Sequence, residues 1–373
     1  MKTVVISGTG LYTPKESISN DELVETFNQY VGNYNKSHEA EIEAGTVTAL
    51  DVSSSAFIEK ASGIKSRYVM NKSGVLDPEV MHPLIPDRPD EAQSLQCEMA
   101  VVAIDQALSQ SGKEAGDIDF VVVACSNMQR AYPAISVEIQ DALGFEGYGY
   151  DMNVACSSAT FGIQAAMDAI RSGSASCVVV VNPEICSGHL DWTDRDCHFI
   201  FGDVCTAIVL EAEETCTSDN AFEMVGTKLI TRFSSNIRNN YGFMNRADPS
   251  AVGARDKLFK QQGRKVFKEV VPMVSQLITE HIQSLDITNT QLKRLWLHQA
   301  NLGMNLLITK RVLGREAVKN EAPIILDEFA NTSSAGSIVA FHRYSDDFEA
   351  GDIGLICSFG AGYSAGSVVV RKR

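Results

Sequence analysis

The sequence lacks long apolar runs, a CxxC motif and an excess of basic charge. No hydrophobic stretch approaches the roughly 20 residues that a membrane-spanning helix needs, so we expect no such helix. The start, "MKTVVISGTGLYTP", reaches glycine after a few apolar residues, which predicts a first strand and turn rather than a signal peptide. Lysine and arginine number 32 against 47 acidic residues, for a net charge of -15. This balance argues against a nucleic-acid binder, and an acidic partner would need a local basic patch.

The nine cysteines indicate the compartment in which the chain folds. Their number is odd, and several lie inside apolar runs such as "VVVAC" and "CVVVV". Such usage is typical of a reducing environment, where most cysteines act as small apolar residues. We therefore expect a cytoplasmic protein without disulfides.

Short β-branched runs alternate with helical segments along the chain. Examples are "KTVVISG", "FVVVACS", "SCVVVVNPE", "RLWLHQA" and "DIGLICSFG". Continuous apolar strands separated by helices predict an α/β fold whose sheets are covered on both faces.

Two passages match in order and indicate an internal duplication. The first runs from the strand "DFVVVACSN" through a helix ending "DALG" to "ACSSATFGIQAA", and the second from "RLWLHQAN" through "RVLG" to "ANTSSAGSIVAF". A glycine directly after a helix suits a C-cap with positive φ. We predict two similar halves, at about 1–215 and 216–373. The N-terminal half carries additional irregular material at 28–56 and 71–92, of the kind that forms lids, interfaces or substrate walls.

Three polar residues fall at equivalent turns if the duplication is real. They are Cys156, His298 in "WLHQAN" and Asn331 in "EFANTSSAG". Because α/β folds gather their sites at the carboxyl ends of strands, the three side chains are expected to converge. Each has a purely structural alternative, since most of the cysteines are expected in the core and Asn before Thr-Ser-Ser suits an N-cap.

The three residue types support acyl transfer through a covalent intermediate. A cysteine at a helix start lies at the positive end of the helix dipole, which favours the thiolate. A neutral imidazole and a carboxamide can donate hydrogen bonds to an oxyanion. The glycine-rich "SFGAGYSAGS" can supply another donor, so we predict an oxyanion hole from the amides of Cys156 and Gly362. A simple glycine-rich turn is the alternative.

Together these motifs resemble the β-ketoacyl-(acyl-carrier-protein) synthase III family of the thiolase superfamily. The segments "ACSS", "HQAN", "NTSSAGS", "TDRDCHFIFGD" and "FGAGY" carry the resemblance. It implies a duplicated thiolase-like fold, an α/β/α/β/α sandwich, and a homodimer. It also implies that Cys156 takes an acyl group from acyl-CoA, and that His298 and Asn331 then assist decarboxylation of malonyl-carrier protein. No metal or other cofactor is expected.

The resemblance also assigns binding residues. It implies an acyl pocket with Tyr132 as a gating aromatic, Phe201 and Cys186, and coenzyme A contacts by Arg195 and Phe57. Phe57 and Ala61 replace a tryptophan and an arginine of the family pattern, Gly303 replaces a docking arginine, and Cys186 replaces a bulkier residue. These departures lead us to expect a medium- or long-chain primer. Carrier-protein docking is expected on a basic amphipathic helix in "RDKLFKQQGRKVFK", with Arg255, Lys257, Lys260, Arg264, Lys265 and Lys268, of which Arg264, Lys265 and Lys268 are the main candidates.

Three other functions remain open at this stage. Papain-like proteases use Cys, His and Asn in the same order, but their CGSCW-like segment is missing here. A non-elongating acyltransferase would pass the acyl group from Cys156 to an amine or alcohol without releasing CO2. A non-catalytic scaffold of the same fold would not need the three residues.

Overall fold

The structure, a computed structural model, describes residues 2–249 and 253–373. The strands are β1 (Val4–Tyr12), β2 (Glu16–Ser19), β3 (Ser66–Val69), β4 (Phe120–Ala124), β5 (Tyr148–Met152), β6 (Cys177–Glu184), β7 (Val204–Ala212), β8 (Phe222–Ser234), β9 (Ile237–Arg238), β10 (Lys260–Gln261), β11 (Leu292–Leu297), β12 (Ile353–Gly360) and β13 (Gly362–Lys372). The helices are α1 (Asn20–Ser37), α2 (Glu39–Glu43), α3 (Ser55–Ser62), α4 (Leu95–Ser111), α5 (Ile135–Leu143), α6 (Ser158–Ser172), α7 (Gly263–Ser284), α8 (Leu302–Leu313), α9 (Leu326–Phe329) and α10 (Gly336–Arg343).

Nine strands form the main sheet, in two similar sets. Their order is β11-β12-β13-β8-β1-β7-β6-β4-β5. In one set β4 and β6 are parallel while β7 and β1 follow antiparallel, and β11, β12, β13 and β8 repeat this pattern. Within the sheet, the two sets join where β1 pairs with β8, at Val5–Glu223 and Ile6–Phe222. The predicted duplicated α/β fold is therefore confirmed.

The helices form layers around the two sets of strands. Helices α4 and α5 pack on the first set, and α7 on the second with α8 beside it. Helix α6 contacts β4 and β6 as well as β12 and β13, so it lies between the sets, and α10 contacts β1 and β11. The core between the sets is formed by valine, isoleucine and phenylalanine side chains from both. This arrangement buries the strands on both faces, as their continuous apolar runs require.

Local sequence explains where the two equivalent helices α5 and α8 end. Gly144 and Gly314 follow them with φ of 69° and 73°, the left-handed conformation that glycine adopts most easily. Asn301 begins α8, because its Oδ1 accepts hydrogen bonds from the amides of Gly303 and Met304 at 2.9 and 3.3 Å. Both turns expected from "DALG" and "RVLG" are therefore present.

The predicted boundary between residues 215 and 216 lies in the turn between β7 and β8 and stays a prediction, with Met1 and 250–252 outside the described residues. The first additional segment, 28–56, is partly helical, since α1 continues to Ser37 and α2 follows it. The second, 71–92, contains turns without a helix or strand. Among the described residues no helix is both long and apolar enough to cross a membrane.

Candidate active site

Three turns from distant parts of the chain line one cavity of about 580 Å³. Cys156 lies between β5 and α6, His298 directly follows β11, and Asn331 lies between α9 and α10. All three residues line this cavity, as predicted from their turns at strand ends or helix starts. His298 and Asn331 are only 2% and 7% exposed, so both side chains are almost completely buried at the cavity wall.

The turn before α6 holds Cys156 in a tight conformation. Ala155 has a φ of 47°, an uncommon value for a residue with a side chain. The amides of Ser157 and Ser158 donate to the carbonyls of Val154 and Ala155, both at 3.1 Å. These amides are consequently engaged within the turn rather than free to face the thiol.

Burial raises the pKa of Cys156 to about 11. A hydrogen bond from Ser333 Oγ to Sγ, at 3.4 Å, and the amides of Ala361 and Cys156 act in the opposite direction without offsetting the burial. The expectation that the helix start favours a resting thiolate is therefore wrong. Desolvation outweighs these hydrogen-bond donors, and the resting thiol is protonated at neutral pH.

The amide that faces the thiol belongs to Ala361, not to Gly362. Strand β12 ends at Gly360 and the chain turns at Ala361, whereas Gly362 opens β13 opposite Ser234. The predicted donor pair therefore changes to the amides of Cys156 and Ala361. Gly360 itself is required by proximity, because a Cβ there would lie 2.5 Å from Cys156 Cβ.

The environment of His298 keeps its imidazole neutral. Burial lowers the pKa to about 4, although a contact with the Ser333 backbone favours the protonated ring. The His298 amide donates to the Cys357 carbonyl at 2.7 Å, and the ring meets Phe359 edge-on at 5.1 Å between centroids. Its Nδ1 has no hydrogen-bond partner among the described residues.

Backbone contacts orient the side chain of Asn331. The backbone N–H of Asn331 donates a hydrogen bond to the Ile200 carbonyl at 2.9 Å, and its backbone carbonyl accepts one from the Gly202 N–H at 3.1 Å. Its Oδ1 accepts a hydrogen bond from the Ser333 amide at 2.9 Å. The carboxamide NH2 group is left as the donor available at the cavity.

Aromatic and aliphatic side chains form most of the remaining wall. Phe201, a predicted acyl-pocket residue, lies in it together with Phe199, Ile237, Phe259, Val270 and Phe359. Ile237 and Phe259 come from residues 235–262 after β8, which the sequence did not connect with the site. Two predicted pocket residues are not in the wall: Cys186 lies behind it with Sγ 3.7 Å from Glu184 Oε2, and Tyr132 is 83% exposed.

The predicted coenzyme A contacts lie beside the cavity. The Arg195 guanidinium stacks on the Phe57 ring, 4.1 Å from its centroid, and Arg195 Nε donates to the Val52 carbonyl at 2.7 Å. Phe57 belongs to α3, whose Ala61 lines the cavity. The Ala61 carbonyl accepts a hydrogen bond from Asn301 Nδ2 at 2.7 Å.

The expectation of one basic helix over "RDKLFKQQGRKVFK" is wrong for its first half. Helix α7 begins only at Gly263, because the chain before it pairs as β10 with β9. Arg255 instead binds Asp191 at 2.6 Å, Lys257 lies 3.2 Å from Asp256, and Lys260 is in β10. The three main candidates, Arg264, Lys265 and Lys268, are on α7 and exposed, and Arg264 and Lys268 line the cavity.

Glu184 was missed by the sequence analysis. It ends β6, is 1% exposed and hydrogen-bonds to serines from two turns of the site. A polar residue at the end of the apolar run "CVVVVNPE" was the available signal. No group of three or more metal-ligating side chains occurs in the two ranges that the structure describes.

Comparisons with known proteins agree with the geometry. Residues 150–231 match the family model of 3-oxoacyl-[acyl-carrier-protein] synthase III, and residues 282–372 match the model of its C-terminal part. The chain is 60% identical to a β-ketodecanoyl-[acyl-carrier-protein] synthase of Pseudomonas aeruginosa, over 94% of this chain and 100% of that protein. It is 28% identical to a β-ketoacyl-[acyl-carrier-protein] synthase III of Granulibacter bethesdensis, over 100% of both.

Solved structures show the same fold. The 3-oxoacyl-[acyl-carrier-protein] synthase III of Aquifex aeolicus superposes with a TM-score of 0.76 at 21% identity, covering 99% of each chain. The Pseudomonas relative, 60% identical over almost the whole chain, decides the assignment. The chain belongs to the β-ketoacyl-[acyl-carrier-protein] synthase III family and is an acyltransferase.

Proposed function

We propose that the cavity condenses a medium-chain acyl-CoA with malonyl-carrier protein, using Cys156, His298 and Asn331. The convergence of these three residues on one cavity supports the proposal most strongly. Acylation of Cys156 and the later condensation require no metal or other cofactor, because the thiol and fixed hydrogen-bond donors supply the chemistry.

In the first step Cys156 sulfur attacks the thioester carbonyl of acyl-CoA. The carbon–sulfur bond to coenzyme A breaks, and the thiol proton passes to the departing sulfur. The amides of Cys156 and Ala361 stabilise the intermediate oxyanion. Because the thiol is protonated at rest, the neutral His298 imidazole serves as the group that carries the proton.

In the second step malonyl-carrier protein loses CO2 and leaves an enolate. Neutral His298 and the Asn331 amide donate hydrogen bonds to the enolate oxygen. The enolate carbon then attacks the acyl carbonyl, the bond to Cys156 sulfur breaks, and the released thiolate is protonated. The product is a β-ketoacyl-carrier protein two carbons longer than the primer.

The primer is proposed to have eight carbons. The Pseudomonas relative is named for a ten-carbon product, and two of those carbons come from the malonyl unit. The apolar walls from Phe201, Ile237 and Phe259 suit an alkyl chain. Arg195 and Phe57 would hold the coenzyme A nucleotide, and Arg264, Lys265 and Lys268 would receive the acidic carrier protein.

A homodimer is proposed with β5 at its interface. Strand β5 is the end strand of the main sheet, and its Tyr148 and Tyr150 are 40% and 42% exposed. An aromatic edge strand of this kind is suited to pairing with a second copy. Tyr132, exposed at 83%, would then reach the partner's acyl pocket. Cys186 would lie behind the wall of that pocket. All nine cysteines are free, which supports the cytoplasm as location.

A condensation assay with acyl-CoA primers from two to sixteen carbons tests the proposal. Product formation with malonyl-carrier protein should be greatest near eight carbons, and each product should be matched by one CO2. A maximum with acetyl-CoA would contradict the primer assignment. Acyl transfer to amines or alcohols without CO2 would contradict the condensation itself.

A further inference from the structure

The buried carboxylate of Glu184 accepts hydrogen bonds from two separate turns. Oε1 accepts from the Ser126 amide at 3.0 Å, the Ser334 amide at 3.1 Å and Ser334 Oγ at 2.5 Å. Oε2 accepts from Ser126 Oγ at 2.6 Å and from the Cys186 thiol at 3.7 Å. Its partners are therefore neutral donors rather than cations.

The first of these turns carries the catalytic amide. Ser334 follows Asn331 by three positions, and Ser333 between them contacts both Asn331 and Cys156. The Ser333 amide donates to Asn331 Oδ1 at 2.9 Å, and its hydroxyl donates to Cys156 Sγ at 3.4 Å. Ser333 has a φ of 49°, so the turn adopts an uncommon conformation that its surroundings must maintain.

The second turn leads to the nucleophile. Asn153 Nδ2 donates to the Ser126 carbonyl at 2.7 Å, and Asn153 Oδ1 accepts from the Ala155 amide at 2.9 Å. Ala155 directly precedes Cys156. A continuous series of hydrogen bonds therefore runs from the Asn331 turn through Glu184 and Ser126 to the Cys156 turn.

The charge of Glu184 does not itself favour the reaction. Burial raises the pKa of Glu184, and its negative charge contributes to the raised pKa of Cys156. A negative charge near the site also opposes an enolate. What this carboxylate offers is its capacity to accept several hydrogen bonds at once from both turns.

We propose that Glu184 is a positioning residue, which fixes the Asn331 amide relative to the Cys156 thiol through Ser334 and Ser126. The inference rests on the proposed function of Asn331 in decarboxylation. It assigns to the end of β6 a role in the second step that does not require contact with substrate.

Three variants separate the hydrogen bonds of Glu184 from its charge. E184Q keeps one side-chain oxygen as an acceptor but removes the negative charge. E184A removes the acceptor oxygens and the charge. S334A removes the Ser334 hydroxyl donor and leaves the backbone N–H of residue 334 in place. Two partial reactions are measured for each variant: CO2 release from malonyl-carrier protein, and alkylation of Cys156 by iodoacetamide as a function of pH, read from the Cys156 peptide.

E184A should release CO2 about a hundredfold more slowly than wild type, because the amide is displaced, and S334A about tenfold more slowly. E184Q should retain most of the wild-type rate of CO2 release. Its alkylation profile should shift to lower pH, since a negative charge near the thiol is gone. The remaining titratable groups lining the cavity are unchanged in E184Q, so the shift reports Glu184; they are His298, Asp196, Arg264 and Lys268.

Glu211 provides the matched control. It is a fully buried carboxylate in β7, paired with Lys113 at 2.9 Å and with Thr215 Oγ1 at 2.8 Å. E211A should lower the melting temperature without changing CO2 release per folded molecule. The proposal is overturned if E184A releases CO2 at the wild-type rate. It is also overturned if CO2 release by E184A is normal per folded molecule, as expected for E211A.

If E184A does not fold, S334A decides the matter, because it removes one of the hydrogen bonds through which Glu184 acts. Wild-type CO2 release in S334A would then overturn the positioning role, whereas the alkylation profile of E184Q reports only the charge of Glu184. Absence of CO2 release from the wild-type protein would instead contradict the proposed function, so the two failures are distinguishable.

Discussion

The Ser333 hydroxyl donates a hydrogen bond to the Cys156 sulfur at 3.4 Å, although 177 positions separate the two residues in the chain. This contact joins the two halves of the duplicated fold at the reacting atom. The same serine orients Asn331 through its amide. Cys156 and Asn331, the proposed nucleophile and donor, thus both contact one turn, so the geometry of the site depends on the packing of both halves.

Both donors of the second step should be needed for CO2 release, but only replacement of Asn331 should separate the two half-reactions, because His298 also carries the proton in the first step. Loss of the imidazole in His298→Ala, or of the amide NH2 in Asn331→Asp, should slow CO2 release about a hundred- to a thousandfold, the usual effect of removing an oxyanion donor. Acylation of Cys156 should continue in Asn331→Asp, and intact-mass measurement of the acyl adduct checks it. Equal loss of acylation and CO2 release in Asn331→Asp would contradict the assigned role.

Gly360→Ala should damage the site by crowding alone. The added Cβ would lie 2.5 Å from Cys156 Cβ and 3.0 Å from Sγ. Overpacking of this kind costs about 1–3 kcal/mol in the free energy of unfolding, and displacement of the thiol should slow acylation about a hundredfold. Urea denaturation and adduct formation measure the two effects.

Gly116→Ala is the matched control for this substitution. A Cβ on Gly116 would meet no atom of the described chain within 4 Å. Its stability and acylation rate should match those of wild type. If Gly360→Ala behaved like this control, the close approach of β12 to the nucleophile would be wrong.

Stability should fall as the pH decreases from about 6.5 to 4. Burial lowers the pKa of four histidines from 6.5 to about 4, so the unfolded chain binds protons in this range that the native protein does not. The stability that they contribute is present above pH 6.5 and is lost on acidification. Burial raises the pKa of Asp203 to about 6 and also raises that of Glu184, which acts in the opposite direction but involves two groups against four. The histidines are His189, His198, His281 and His298.

Urea midpoints between pH 7.5 and 4.5 measure this dependence, with His189→Phe as control. His189 lies beside Phe201 and Phe259, and neither of its ring nitrogens has a partner among the described residues. The phenylalanine variant should therefore lose less stability on acidification than wild type. A midpoint independent of pH would contradict the neutral buried histidines.

Charge reversal on α7 should affect one substrate only. Lys265→Glu with Lys268→Glu should raise the KM for malonyl-carrier protein, because the acidic partner loses attraction at the cavity, while acylation by acyl-CoA is unchanged. Steady-state kinetics at low salt measures both. Lys319→Glu, an exposed change outside the cavity wall, is the control. An unchanged KM in the double variant would exclude this docking face.

Much of the fold could be predicted because the signals were local. The Leu-Gly helix ends at Gly144 and Gly314 and the apolar strands needed no tertiary information. The convergence of Cys156 and His298 followed from the rule that sites gather at strand ends, and that of Asn331 from its equivalent place in the repeated sequence pattern.

The parts that failed depend on tertiary surroundings. The resting protonation of Cys156 is set by burial, and the donor at Ala361 by the turn between β12 and β13. Lys260 lies in strand β10 rather than in the expected helix, because its segment pairs with β9. Each of these outcomes depends on neighbours that are far away in the sequence.

A single-turnover experiment tests the central claim that Cys156 carries the acyl group into the condensation. The protein is incubated with octanoyl-CoA, its intact mass is read, and malonyl-carrier protein is then added, with Cys156→Ala as control. One octanoyl adduct should form on wild type and none on the variant, and the adduct should be converted to β-ketodecanoyl-carrier protein with release of CO2. An adduct that persists after malonyl-carrier protein is added, or one that also forms on the variant, would contradict it.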